Sequence, residues 1–255
     1  MNKILTLSLA SLFVSTSVFA NDHKMSEATE EKVRAAMKAD IRTEAETERD
    51  RNRRPVQTLK FFGLNDDMKV LELLPGGGWY TKLLAPTLAE KGDFHVAIGT
   101  NRVKERLTGQ KDMKFNVLET NTNIRRPEGS RFYVMDSFTL SEKDFDMVFT
   151  FRNYHNFAEE GRRAMNEAVF KALKPGGIYA VVDHTMRHME PLNAENRRRF
   201  DPVLAIKEIQ EAGFVFVEYS DLHYRADDEL RYEVGRRSVS GNTDRFTFKF
   251  MKPKK

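Results

Sequence analysis

The chain opens on an apolar run at residues 4–14, broken only by Thr and Ser, with Lys3 ahead of it and Val18-Phe19-Ala20 behind it. This is the three-part pattern of a secretory signal peptide, and the run is too short to span a bilayer. Residues 1–20 are expected to be removed, giving a periplasmic or secreted protein. From residue 21 to 54 the pattern becomes dense in Glu, Lys, Arg and Ala. Ser26 ahead of Glu27, Glu30 and Glu31 predicts a capped helix start. Val33, Met37 and Ile41 give that helix one thin apolar stripe. The segment reads as an exposed, charged helical arm whose stripe packs loosely on the body or on a second subunit, the latter offering a route to an oligomer.

Beyond Pro55 the pattern is that of one domain, 55–255. A helix through Val56, Leu59, Phe61 and Phe62 ends at Gly63. Short apolar runs then alternate with helical stretches. Strands are predicted at 68–73, 94–98, 132–135, 146–151, 178–183, 214–219 and 245–251, and helices at 80–90, 159–173 and 202–212. Strands separated by helices predict an α/β fold with a mostly parallel sheet and helices on both faces. The last two strands are joined by a polar stretch, 221–244, without a crossover helix, which predicts an antiparallel strand at the sheet edge.

Charge and composition narrow the partners. The 42 basic and 38 acidic residues are well mixed, so no basic stripe for nucleic acid stands out. The runs Arg197-Arg198-Arg199 and Lys252 to Lys255 read as solvated. There are no cysteines, which excludes disulfides, thiol nucleophiles and a cysteine-linked lipid anchor. The n-region lacks paired arginines, which favours the general secretory route.

The most specific motif is Glu72-Leu73-Leu74-Pro75-Gly76-Gly77-Gly78-Trp79-Tyr80-Thr81. Three glycines between a buried strand and a helix make a turn that a ligand can approach closely. Its spacing is neither Gly-x-Gly-x-x-Gly nor the Gly-Lys-Ser/Thr of a phosphate loop. The segment resembles motif I of the class I S-adenosylmethionine-dependent methyltransferases, an acid followed by Gly-x-Gly-x-Gly, with Leu74 in place of the first glycine. Phe145-Asp146-Met147-Val148 and Leu173-Lys174-Pro175-Gly176-Gly177 resemble two further landmarks of those enzymes. The chain also resembles a bacterial family of predicted, often exported, methyltransferases through Arg152-Asn153-Tyr154-His155-Asn156, Val182-Asp183-His184 and Thr243-Asp244-Arg245-Phe246.

The resemblance implies a Rossmann-like, seven-stranded fold with an antiparallel last strand. It also implies S-adenosylmethionine as cofactor and Glu72, Gly76, Gly77, Gly78 and Asp136 around it. Asp136 resembles the acid that holds the adenine amino group. The acid usual at the end of the second strand is missing from Ile98-Gly99-Thr100-Asn101, which leaves Asn101 or Thr100 for the ribose. Groups for chemistry belong at the carboxyl ends of strands. His155 or His184 is a candidate base, with Asp183 beside it and Asn153 and Tyr154 to orient a small-molecule acceptor. His155, Asp183, His184 and His188 are also metal-ligand types, but no metal is assigned. A methyltransferase-like ligand-binding or regulatory protein without catalysis is the alternative.

Overall fold

The computed structural model describes residues 24–254, so the expected signal peptide lies outside the described residues. In chain order the elements are α1 (Glu27–Met37), α2 (Glu44–Thr47), α3 (Asp50–Arg53), α4 (Pro55–Phe62), β1 (Lys69–Leu73), α5 (Thr81–Leu88), β2 (Asp93–Ala97) and α6 (Asn101–Leu107). They continue with β3 (Asn116–Leu118), β4 (Ile124–Arg125), β5 (Val134–Met135), β6 (Phe145–Phe151), α7 (Glu159–Ala172), β7 (Leu173–His184), α8 (Pro202–Glu211), β8 (Val215–Tyr219) and β9 (Arg245–Met251). No helix among them is long and apolar enough to cross a membrane.

The main sheet has seven strands in the order β3-β2-β1-β6-β7-β9-β8. β3, β2, β1, β6 and β7 run parallel, and β9 runs antiparallel to both β7 and β8. Alternation along β1 shows how the sheet is covered. Val70 belongs to one core cluster with Leu59, Phe62, Leu83 and Leu84 of α4 and α5. Leu71 and Leu73 belong to the other, with Met165 and Val169 of α7 and Ile209 of α8. The strand order reverses between β1 and β6, which opens a crevice beyond their carboxyl ends.

Three expectations need correction. β9 is not an edge strand. All seven of its residues are buried, so it inserts between β7 and β8 and leaves the half-buried β8 outside. The apolar stretch at 132–135 is not the third strand of the sheet either. Val134 and Met135 pair instead with Ile124 and Arg125 in a separate two-stranded ribbon. The place beside β2 goes to β3, whose three residues are too few to show a pattern.

The charged segment before Pro55 is not an exposed arm. Ser26 caps α1 as expected, its Oγ accepting from Thr29 N at 3.1 Å. Val33 and Ala36, however, are buried in the core, with Met37 and Ile41 packed against it, so of the two places open to the stripe it takes the chain's own body. Lys32 pairs with Asp66 at 2.8 Å, and Arg42 grips Asp50 with both terminal nitrogens, at 2.9 and 2.6 Å. This clamp folds α2 and α3 back over the glycine turn.

Candidate functional site

The carboxyl ends of β1, β2 and β6 each turn through a non-glycine residue in the left-handed region. Leu74 has φ 55°, Ile98 φ 63° and Arg152 φ 59°. Such a conformation costs about 1–2 kcal/mol for a residue with a Cβ. It is held by pairing across the sheet, Leu74 N donating to Ala97 O at 2.9 Å and Arg152 N to Val182 O at 2.7 Å. Strain is concentrated at the edge where the strand order reverses, as at functional sites.

A cavity of about 640 Å³ lies against the glycine turn, walled by Glu72, Gly76, Gly77, Trp79, Asn153 and Arg106. Gly78 (φ 85°) is required for packing, since a Cβ there would come 2.6 Å from Leu107 Cδ1 of α6. Gly77 serves the cavity: its missing Cβ would lie 3.0 Å from Arg106 Nη1 across the opening. Glu72 is buried, with Oε2 accepting from Thr81 Oγ1 at 2.6 Å. Burial pushes its carboxyl up to about 7, opposed by that hydrogen bond and by Arg53. The folded-back segment roofs the cavity. Trp79 Nε1 donates to Glu46 O at 2.9 Å, Lys82 Nζ meets Glu46 Oε2 at 2.7 Å, and the Arg53 guanidinium lies 4.2 Å from the Trp79 ring centroid.

A second cavity, of about 410 Å³, opens beyond the ends of β6, β7 and β9. Arg49, Arg53 and Arg152 line both cavities and form the wall between them. His155 and His184 face the second cavity, their rings 5.8 Å apart. Asp183 is buried beneath them. Its Oδ1 is 2.6 Å from His155 Nδ1, and its Oδ2 accepts from His155 N at 3.0 Å. A carboxylate only accepts, so Nδ1 carries the proton and Nε2 is left as the basic nitrogen. His184 is different. Its Nδ1 pairs with Thr243 Oγ1 at 2.8 Å, and burial, then Arg245, His155 and the other arginines, hold it well below the usual imidazole range. Of the two rings, His155 alone has a carboxylate to offset a positive charge.

The structure thus brings together Glu72, Gly76, Gly77, Asn153, His155, Asp183 and His184. Asn153 spends its amide nitrogen on the carbonyls of Leu74 (3.1 Å) and Phe151 (3.0 Å), tying β1 to β6. Tyr154 is displaced from the site. It is fully buried between α7 and α8, its hydroxyl donating to Glu208 Oε2 at 2.9 Å and accepting from Asn166 Nδ2 at 2.9 Å. Asp136 follows the small ribbon rather than a sheet strand. It is ion-paired with Arg125 at 3.0 Å and stands away from the glycine turn. Asn101 begins α6 and is exposed. That helix offers Arg102 and Arg106 to the cavity instead. His188 pairs with Asp201 at 2.8 Å, apart from the other histidines. Among the described residues no group of three or more His, Asp or Glu is placed to hold a metal ion.

The basic run expected to be solvated is largely built in. Arg199 is almost fully buried against Asp228, and Arg198 lines the second cavity. Arg53, Arg152 and Arg245 are site residues to which the sequence motifs assign no role, although Arg152 and Arg245 stand within two of the motifs that carry the resemblance. The signal for Arg152 is a charge just past the apolar run of β6, and for Arg245 its place at the start of the alternating β9.

Comparison of the structure with solved ones decides the architecture. A methyltransferase described as dependent on S-adenosylmethionine, from Aquifex aeolicus, superposes with a TM-score of 0.54 at 17% identity, over 88% of this chain and 98% of that one. The fold is that of the class I methyltransferases. The glycopeptide N-methyltransferase MtfA is similar at TM-score 0.51 and 16% identity, over 80% of this chain and 91% of its own. The [4+2]-cyclase SpnF is similar at 0.50 and 12%, over 80% and 81%, so this fold carries more than one reaction. No protein-family model and no curated protein sequence matches the chain.

Proposed function

We propose that the chain is an S-adenosylmethionine-dependent methyltransferase acting on a small-molecule acceptor, with His155 as general base and Asp183 as its positioning residue. The observation that carries this reading is the His155–Asp183 pair, separated from the glycine-turn cavity only by a wall of arginines. The cavity fits the cofactor on its β1 side. Gly76 and Gly77 leave the backbone open, Trp79 offers an apolar wall, Glu72 is an acceptor for cationic or donor groups, and Arg49 and Arg53 suit a carboxylate. When bound, S-adenosylmethionine would supply an electrophilic methyl for the acceptor's oxygen or nitrogen, its sulfur keeping the bonding electron pair. His155 Nε2 takes the proton that the hydroxyl or amine releases, and Asp183 keeps the ring oriented for it. His184, held neutral, borders the same cavity without competing for that proton.

The second reading is a ligand-binding protein of the same fold that has lost catalysis. It is favoured by the arginines that α6 presents where an acid usually meets the ribose. Titration calorimetry with S-adenosylhomocysteine separates the two. Binding is expected in the wild type, and Gly77→Leu should weaken it about tenfold to a hundredfold, because overfilling a site costs about 1–3 kcal/mol. The backbone of Gly77 is not in the left-handed region, so the variant should unfold at nearly the wild-type temperature. Absence of wild-type binding at millimolar ligand would leave the second reading standing.

A further inference from the structure

The second cavity has an unusual charge balance. Arg49, Arg53, Arg152, Arg198 and Arg245 line it, and no Asp or Glu does so among the described residues. Arg198 is answered by Glu233. Arg53, Arg152 and Arg245 make no ion pair with any described residue. Arg53 is 5% exposed and Arg245 6%. The Nε atoms of Arg152 and Arg245 are buried and make no hydrogen bond. The Arg245 side chain has one hydrogen-bond partner, the Asn52 carbonyl, 2.7 Å from its Nη1. Burial, and then their neighbouring guanidiniums, push Arg53 and Arg245 below the usual arginine range, Arg245 to about 10.

Two buried cations and the half-buried Arg152, facing one space, repel each other and have lost much of their water. Elsewhere the chain pairs such charges, as at Arg42–Asp50, Arg162–Glu208 and Arg199–Asp228. Desolvated guanidinium groups of this kind are stabilised by an anion, and their planar forks match carboxylate and phosphate oxygens. We propose that the acceptor is a small molecule carrying a carboxylate or phosphate, which seats against Arg152 and Arg245 and turns its hydroxyl or amine toward His155. This rests on the methyl-transfer reading for the reaction, while the anion site itself does not. A sulfonium is cationic, so an anionic acceptor also offsets the charge that cofactor and arginines bring together.

Thermal unfolding of the purified full chain at constant ionic strength tests the site, with inorganic phosphate and malonate as separate probes against chloride. At least one probe at 10 mM, roughly ten times a millimolar Kd, should raise the midpoint by about 2 °C or more over chloride. Arg245→Gln and Arg152→Gln should each abolish most of that shift, and Arg106→Gln, at the glycine turn, should retain it. If Arg245→Gln does not fold, Arg152→Gln carries the test alone. A larger response to phosphate or to malonate tells which oxyanion the site prefers. The proposal fails if neither probe exceeds chloride, or if the shift survives in the folded variants. The wild type keeps the two ideas apart: its anion binding without S-adenosylhomocysteine binding would defeat the methyltransferase reading alone, and the converse would defeat only the anion site.

Discussion

Asp228→Ala is expected to destabilise the protein by about 3–5 kcal/mol, because it leaves a buried guanidinium without its carboxylate. Arg199 and Asp228 are both fully buried at the side chain. Two parallel bonds join them, Nη1 to Oδ2 at 2.9 Å and Nη2 to Oδ1 at 2.8 Å. The rest of the arginine is spent on the carbonyls of Tyr232 (2.6 Å) and Thr185 (2.9 Å). Asp228 in turn accepts from Asp244 N at 2.6 Å and Leu230 N at 3.1 Å. The pair pins the irregular stretch between β8 and β9, which has no regular ladder of its own, onto the end of β7. Urea unfolding should show the loss, and thermal unfolding a fall in midpoint of roughly 6–20 °C for a chain of this size. Arg199→Met combined with Asp228→Leu should restore most of it, since neither charge is then left buried alone. A loss below about 1 kcal/mol in the single variant would show that solvent reaches Arg199. The same variant should weaken anion binding, because Gly235 and Thr243 of this stretch wall the second cavity.

What is legible in the sequence follows local rules. β1 and β6 are readable as short apolar runs and β9 by its alternation, each being fully or nearly fully buried. The glycine turn is readable because positive φ at Gly76 and Gly78 restricts the residue type. Asp183 and His184 are readable as polar residues ending a buried strand, and His155 as one just past another. What is not legible depends on contacts distant in sequence. Tyr154 lies between two site residues, yet the short helical turn at Tyr154–Asn156 swings it inward to Glu208, 54 positions away. The segment before Pro55 has the composition of a solvated helix. It becomes the roof because Arg42 clamps Asp50 and Arg53 lies over Trp79. The anion site draws Arg53, Arg152 and Arg245 from three separate regions, and no spacing rule links them. The position of β9 between β7 and β8 is likewise a matter of pairing, and a polar connector carries no mark of it.

Glu72→Gln is expected to stabilise the ligand-free protein by roughly 3 kcal/mol at pH 8, by an amount that vanishes toward pH 4.5. The Glu72 carboxyl sits near 7 in the fold against 4.5 in the unfolded chain. Between those values the folded state holds the proton and the unfolded state does not. Stability therefore falls as pH rises from 4.5 to about 7 and stays lower above it. The fall is about 1.36 kcal/mol for each pH unit between the two values. Glutamine removes that slope, and its carbonyl oxygen still accepts from Thr81 Oγ1. Urea unfolding of both proteins at pH 5 and pH 8 measures the effect, and a gain that is equal at the two values would contradict it. A buried carboxylate that costs stability at neutral pH is explained by what it faces. Glu72 borders the cavity at the glycine turn, where a cationic or donor-rich ligand supplies the partner the fold withholds. The glutamine variant should accordingly bind S-adenosylhomocysteine about tenfold more weakly at pH 8, while anion binding in the second cavity is unchanged. Opposite signs for stability and affinity in one variant would mark Glu72 as a residue kept for the ligand rather than for the fold.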